Sequence, residues 1–161
     1  MIEVPNFKFA VKKGLEDDFV PCQSDPEATG WDVRCAVPDG VTLYPFGHIA
    51  IPLGFRMFAP PGWWLELRPR SSSHAKKHLH CLYGVIDETY ENELLFSCQF
   101  IPPGIQSGQP LTILYGERIG QVVPVKRKTM NVEKISNEEF DRLCLQRSAT
   151  RKGGLGSTGD K

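Results

Sequence analysis

Three segments of the chain set charged and hydroxyl side chains at spacings that could handle an anion. In Arg68-Pro69-Arg70-Ser71-Ser72-Ser73, two guanidiniums and three hydroxyls directly follow an apolar run. Arginine grips phosphate oxygens with a fork of N–H donors, and serine hydroxyls and amides can complete the cradle; a solvated turn has the same composition. In Gly84-Val85-Ile86-Asp87-Glu88-Thr89-Tyr90-Glu91-Asn92, an apolar strand end meets a carboxylate, then an aromatic, then an asparagine that tolerates the left-handed turn conformation. Asp87 at the lip of such a hairpin could orient and deprotonate a water, or it could fix the turn through its own backbone. In the run 151–159, successive glycines let backbone N–H groups converge on an anion, Ser157 and Thr158 add hydroxyl donors, and Arg151 and Lys152 add charge. The bland alternative is a frayed, solvated tail.

Two other patterns lack the context their chemistry needs. Gly154, Gly156 and Gly159 spell GxGxxG, but a dinucleotide site requires a strand before and a helix after, and Asp160 stands where a Walker loop has lysine. His74, His78, His80 and Cys81 are residue types that suit zinc, yet no second cluster at ligand spacing completes a tetrahedral set. A strand with incidental histidines accounts for them.

The elements that must hold these segments are short strands. In 49–57, Ile49, Ile51, Leu53, Phe55 and Met57 fall on one face, with Pro52 and Gly54 suggesting an edge or a bulge. Trp63, Leu65 and Leu67 alternate with Trp64, Glu66 and Arg68. Leu94, Phe96, Cys98 and Phe100 repeat the pattern, as do Ile119, Gln121, Val123 and Val125, with a polar Gln on an otherwise apolar face. Turn signals separate these runs: Pro38-Asp39-Gly40, Pro60-Pro61-Gly62, Pro102-Pro103-Gly104 and Gly108-Gln109-Pro110. Many closely spaced strands predict an all-β sandwich or jelly roll. One short helix is predicted near 137–146, capped by Ser136 with Glu139 closing a capping box and Phe140, Leu143 and Cys144 on one face. A β domain over 1–146 and a mobile C-terminal arm over 147–161 complete the expected organisation.

Composition narrows the function classes. The 161 residues carry 19 basic and 19 acidic side chains, so overall charge does not hold this protein to nucleic acid, and any such attraction must be local. No apolar run approaches the roughly 20 residues a membrane helix needs, and residues 1–14 have no apolar core of a secretory signal. Five cysteines with no close CxxC pair read as reduced thiols of a cytosolic-type compartment.

Taken in order, the segments resemble the five motifs of the trimeric dUTPase family: Ala28-Thr29-Gly30-Trp31-Asp32-Val33, then Pro69-Arg70-Ser71-Ser72, then 84–90, then Gly116-Glu117-Arg118-Ile119-Gly120-Gln121, then 151–159. The resemblance spans about residues 7–161. It implies a distorted jelly roll (β-clip), a homotrimer with sites at subunit interfaces, and Mg²⁺-dependent hydrolysis of dUTP to dUMP and pyrophosphate in the cytoplasm, of a cell or of a host. It also implies roles. Asp87 would orient the water that attacks the α-phosphorus. Tyr90 would pack on the deoxyribose, and the backbone of Gly84, Val85 and Ile86 would read uracil. Arg70, Ser71, Ser72 and Gln121 would contact phosphates. Asp32 would sit near the water shell of an ion held mainly by the phosphates. The arm would close as a lid, with Arg151, Gly156, Ser157 and Thr158 on the nucleotide and Leu155 over the base, where the family usually has a stacking Phe.

Three alternatives share the fold. A dCTP deaminase would need a glutamate that aligns with Ser97 and an arginine that aligns near Ala75, and both are missing. A pyrophosphatase for another deoxynucleotide is compatible with Leu155 and Cys81. A nucleotide-gated regulator could keep every motif and use 126–150 to contact a protein partner.

Overall fold

A computed structural model describes residues 4–104 and 108–147. Eleven strands follow the alternation of the sequence: β1 (Lys8–Val11), β2 (Trp31–Arg34), β3 (Val41–Leu43), β4 (His48–Pro52), β5 (Phe55–Phe58), β6 (Trp63–Pro69), β7 (Leu79–Cys81), β8 (Gly84–Ile86), β9 (Leu95–Phe100), β10 (Leu111–Ile113) and β11 (Arg118–Lys126). They pair antiparallel in four small sheets, ordered β2-β11-β6-β8, β4-β9-β7, β1-β5 and β3-β10. The inward residues, among them Ile51, Phe55, Leu65, Leu67, Phe96, Ile113, Ile119 and Val122, form one apolar core. This is the jelly-roll-like β fold that the alternation predicts.

Two local differences have clear causes. The run 49–57 is broken into β4 and β5 because Gly54 adopts φ +79°, where its missing Cβ lets the chain turn against Ala36 and Phe19. In β11 the register against β2 slips between Arg118 and Gly120, making Ile119 the extra residue of a bulge. The bulge shifts the alternation by one. Ile119 and Val122 therefore point into the core, and Gln121 faces the other side instead of sharing the Ile119 face.

Besides the predicted helix there is a short one, α1 (Ser71–Ala75), directly after β6. The second, α2 (Asn137–Leu145), begins as predicted: the Ser136 hydroxyl accepts the Glu139 N–H at 3.1 Å. Only that half of the capping box forms, since the Glu139 carboxylate turns to Arg142. The chain divides into two compact units, Met1–Arg127 and Lys128–Lys161. All the site residues discussed below belong to the first. The expected arm, apart from Arg147, lies outside the described residues, and with it Arg151, Leu155, Gly156, Ser157 and Thr158. No described helix is long and apolar enough to cross a membrane.

Candidate functional site

Strand pairing brings five of the candidate side chains to one end of the four-stranded sheet. Gln121 on β11 lies opposite Arg68 on β6 and opposite Asp32 on β2. Arg70 follows β6 and leads into α1, so Ser71 and Ser72 sit beside it. Asp32 is 7% exposed. A carboxylate so buried is costly unless it is paired. Here each oxygen has an arginine: Arg70 Nε to Oδ1 at 2.9 Å and Arg118 Nη1 to Oδ2 at 3.1 Å. Two guanidiniums around one carboxylate leave the cluster with a net positive charge, and both arginines keep N–H groups for a further acceptor. Gln121 donates to the Pro69 carbonyl at 3.1 Å. Ser71 is exposed and Ser72 half-buried, both accessible, whereas Ser73 is buried. The cradle thus uses two of the three predicted hydroxyls. Arg118 was not singled out by sequence reasoning, although it stood in the run Gly116 to Gln121. Its contact with Asp32 shows only once β2 and β11 are paired.

At the other end of β6, β8 continues into a tight turn. The Tyr90 N–H donates to the Asp87 carbonyl at 3.0 Å, so the backbone of Asp87 closes the turn and its side chain does not. Among the described residues nothing takes the Asp87 carboxylate. It stands at a depression of about 230 Å³ lined by Trp63, Trp64, Glu88 and Arg127. Glu88, in contrast, is committed, accepting the Gly62 N–H at 2.9 Å and pairing with Arg127 at 3.2 Å. Tyr90 packs its half-buried ring against the core and donates its hydroxyl to the Glu93 carbonyl at 3.1 Å. β8 is the outermost strand of its sheet. The outer backbone groups of Gly84, Val85 and Ile86 therefore face away from β6.

These two halves lie apart. Ile86 is opposite Leu65 and Gly84 opposite Leu67, so the register carries Asp87 to the level of Trp64. Arg70 is six residues further along, which at ~3.3 Å per extended residue is about 20 Å. One protomer brings Asp32, Arg70, Ser71, Ser72 and Gln121 together and holds Gly84 to Tyr90 separately.

Among the described residues no three of His, Cys, Asp or Glu converge as a cation cage. Asp32 has about four lone-pair directions and the arginines take two. What remains fits water-mediated contact with an ion carried by a ligand, and does not fit direct chelation. Burial pushes the Cys81 thiol up to about 12, with Cys98 adding to the shift, so at neutral pH it is a protonated and poor metal ligand. The His74 and His80 rings meet edge to face at 5.3 Å.

Comparison with known proteins bears on family and fold. The profile of the dUTPase family matches residues 18–159. A deoxyuridine 5'-triphosphate nucleotidohydrolase of Hydrogenobaculum sp. (strain Y04AAS1) is 33% identical over 156 residues, covering 96% of this chain and 99% of the relative. One from Wolbachia pipientis wMel is 28% identical over 146 residues, 89% of either chain. Among solved structures, a Staphylococcus bacteriophage 80alpha dUTPase mutant with dUpNHpp superposes with a TM-score of 0.73 at 19% identity, covering 96% of this chain and 99% of that one, a likeness of fold.

Proposed function

Since the chain belongs to the dUTPase family, we propose that it is a dUTP diphosphatase, forming dUMP and pyrophosphate by attack of water on the α-phosphorus. The observation that carries this reading is the pairing of an uncommitted carboxylate, Asp87, with a separate two-arginine cluster suited to a triphosphate. Arg70, Arg118, Ser71, Ser72 and Gln121 hold phosphate oxygens by charge-assisted hydrogen bonds. Asp87 accepts a proton-bearing bond from the attacking water and aims it, while the fixed phosphates supply the in-line geometry. Mg²⁺, when bound, neutralises the charge of the triphosphate, and Asp32 would reach it through water.

The free edge of β8 suits recognition of the base. Outward N–H and C=O groups of Gly84, Val85 and Ile86 would match the O4 and N3–H of uracil and mismatch the amino group of cytosine; a buried mismatch of this kind discriminates by ~10⁴ or more. Tyr90, held by its own hydroxyl bond, would leave no room for a 2′-hydroxyl. About 20 Å of backbone between Asp87 and Arg70 supports a site that a second protomer completes, as in a homotrimer. The arm, with Arg151, Leu155, Gly156, Ser157 and Thr158, would close over the nucleotide. All five cysteines are free, which suits a reducing cytoplasm.

Pyrophosphate release is measured over a panel of dNTPs and UTP with Mg²⁺, for wild type and Asp87→Asn. The expected result is a preference for dUTP and a loss of ~10²-fold or more in the variant. Preference for another nucleotide, release of ammonia from dCTP, or activity independent of Asp87 would overturn the reading.

A further inference from the structure

Ser73 follows Ser71 and Ser72 in sequence but does not share their surroundings. It is 1% exposed and cannot touch a ligand. Its hydroxyl donates to the Ile119 carbonyl at 2.7 Å, across 46 residues of chain. Ile119 is the bulged residue of β11, without a partner in the register of β2. The same bulge lies between Arg118, which turns to Asp32, and Gln121, which turns to the Pro69 carbonyl. On its other side Ser73 donates its own N–H to the Arg70 carbonyl at 3.0 Å. A single residue is thus bonded both to the segment that carries Arg70, Ser71 and Ser72 and to the bulge that aims Arg118 and Gln121.

An alanine would fill nearly the same space and leave the strand pairing intact. What it lacks is direction. α1 has only five residues and ends in an exposed stretch, so its own backbone bonds hold it weakly against the sheet. The buried hydroxyl fixes how far α1 sits from β11, and with it the separation of the two groups of phosphate donors. Bulges beside functional sites commonly re-aim side chains in this way. Gly120, next to Ile119, closes the arrangement, for a Cβ there would stand 2.8 Å from Phe96 Cε2.

We propose that Ser73 is a positioning residue for the triphosphate, clipping the Arg70–Ser72 segment to the β11 bulge so that donors from both converge on the same phosphates. This rests on the dUTP reading above. The test compares Ser73→Ala and Ser73→Thr with wild type for dUTP turnover, deoxyuridine binding and thermal melting. Ser73→Ala should raise KM for dUTP about fivefold, the factor one neutral hydrogen bond is worth. Deoxyuridine, which has no phosphate, should bind both variants as it binds wild type. Ser73→Thr keeps the donor and should restore KM to within about twofold, even where its extra methyl lowers the melting temperature. A residue that only fills space would change melting in both variants and leave KM alone. Should Ser73→Ala fail to fold, Ser73→Cys, of similar volume but a weak donor, takes its place. Wild-type KM in the alanine or cysteine variant, or a raised KM that threonine does not rescue, overturns the clip while leaving the function standing. A wild type inactive on dUTP overturns both.

Discussion

Gly30→Ala isolates the contribution of Gln121 to nucleotide binding. A Cβ on Gly30 would overlap Gln121 Oε1 and stand 2.8 Å from its Cδ. The colliding atoms are the end of a flexible side chain, so Gln121 must swing away and the backbone need not move. The swing breaks its bond to the Pro69 carbonyl, a net loss of ~0.5–1.5 kcal/mol. Gly30 is not among the glycines with positive φ. Alanine therefore fits its backbone and, by restricting the unfolded chain, returns ~0.4–1 kcal/mol. The two nearly cancel, and the melting temperature should move by no more than about 4 °C. Binding has no such compensation. A phosphate loses one hydrogen bond, and KM for dUTP should rise about five- to tenfold in a pyrophosphate-release assay. Unchanged KM with normal melting would refute the placing of Gln121 on the phosphates.

Other perturbations reach different parts of the molecule. Gly120→Ala presses a methyl to within 2.8–3.1 Å of the Phe96 ring and the Arg68 carbonyl, neither able to retreat, and should cost ~1–3 kcal/mol in denaturant unfolding. Asp32→Asn removes the charge that aims Arg70 and Arg118. The Asp32 side chain is only 8% exposed, but the two guanidiniums, 27% and 42% exposed, can turn to water once its charge is gone, so stability should fall by only ~1 kcal/mol. Turnover of dUTP should drop at least about tenfold, and full activity would show that Asp32 aims nothing. Cys81 is a half-buried and Cys98 a buried thiol, and desolvation raises their pKa from 9.0 to about 12 and about 11. Their stabilising contribution is complete below pH 9.0, where the unfolded thiols are still protonated, and is lost as pH rises towards those folded values. Melting temperatures should fall over that range, and less so in Cys81→Ser; an identical fall in both proteins would argue against it.

Much of the fold was legible because period-2 alternation reports directly which residues face a core. Leu94, Phe96, Cys98 and Phe100 are all buried, as their spacing requires. The phase of β11 was not legible. Gly120 inside the strand is a local hint of a bulge, but the register slip itself depends on the close approach to Phe96 and the clip to Ser73, which lie in other elements. The site shows the same division. Arg70, Ser71 and Ser72 could be read as anion ligands from residue type alone, but Ser73, of identical type, is turned inward by the geometry of α1. Arg118 emerged only through its pairing with Asp32, a contact spanning 86 residues. That Asp87 and Arg70 belong to opposite ends of one strand follows from register, which residue types do not disclose.

Complementation between inactive variants tests that separation most directly. Asp87→Asn and Arg70→Ala chains are unfolded together in equal amounts, refolded, and assayed for pyrophosphate release from dUTP. A site that takes Asp87 from one protomer and Arg70 from another leaves about a quarter of the sites intact in randomly mixed oligomers, and about a quarter of wild-type activity should return. If both residues serve a site within one chain, every site in the mixture is broken, and activity no higher than that of the separate variants would contradict the divided site.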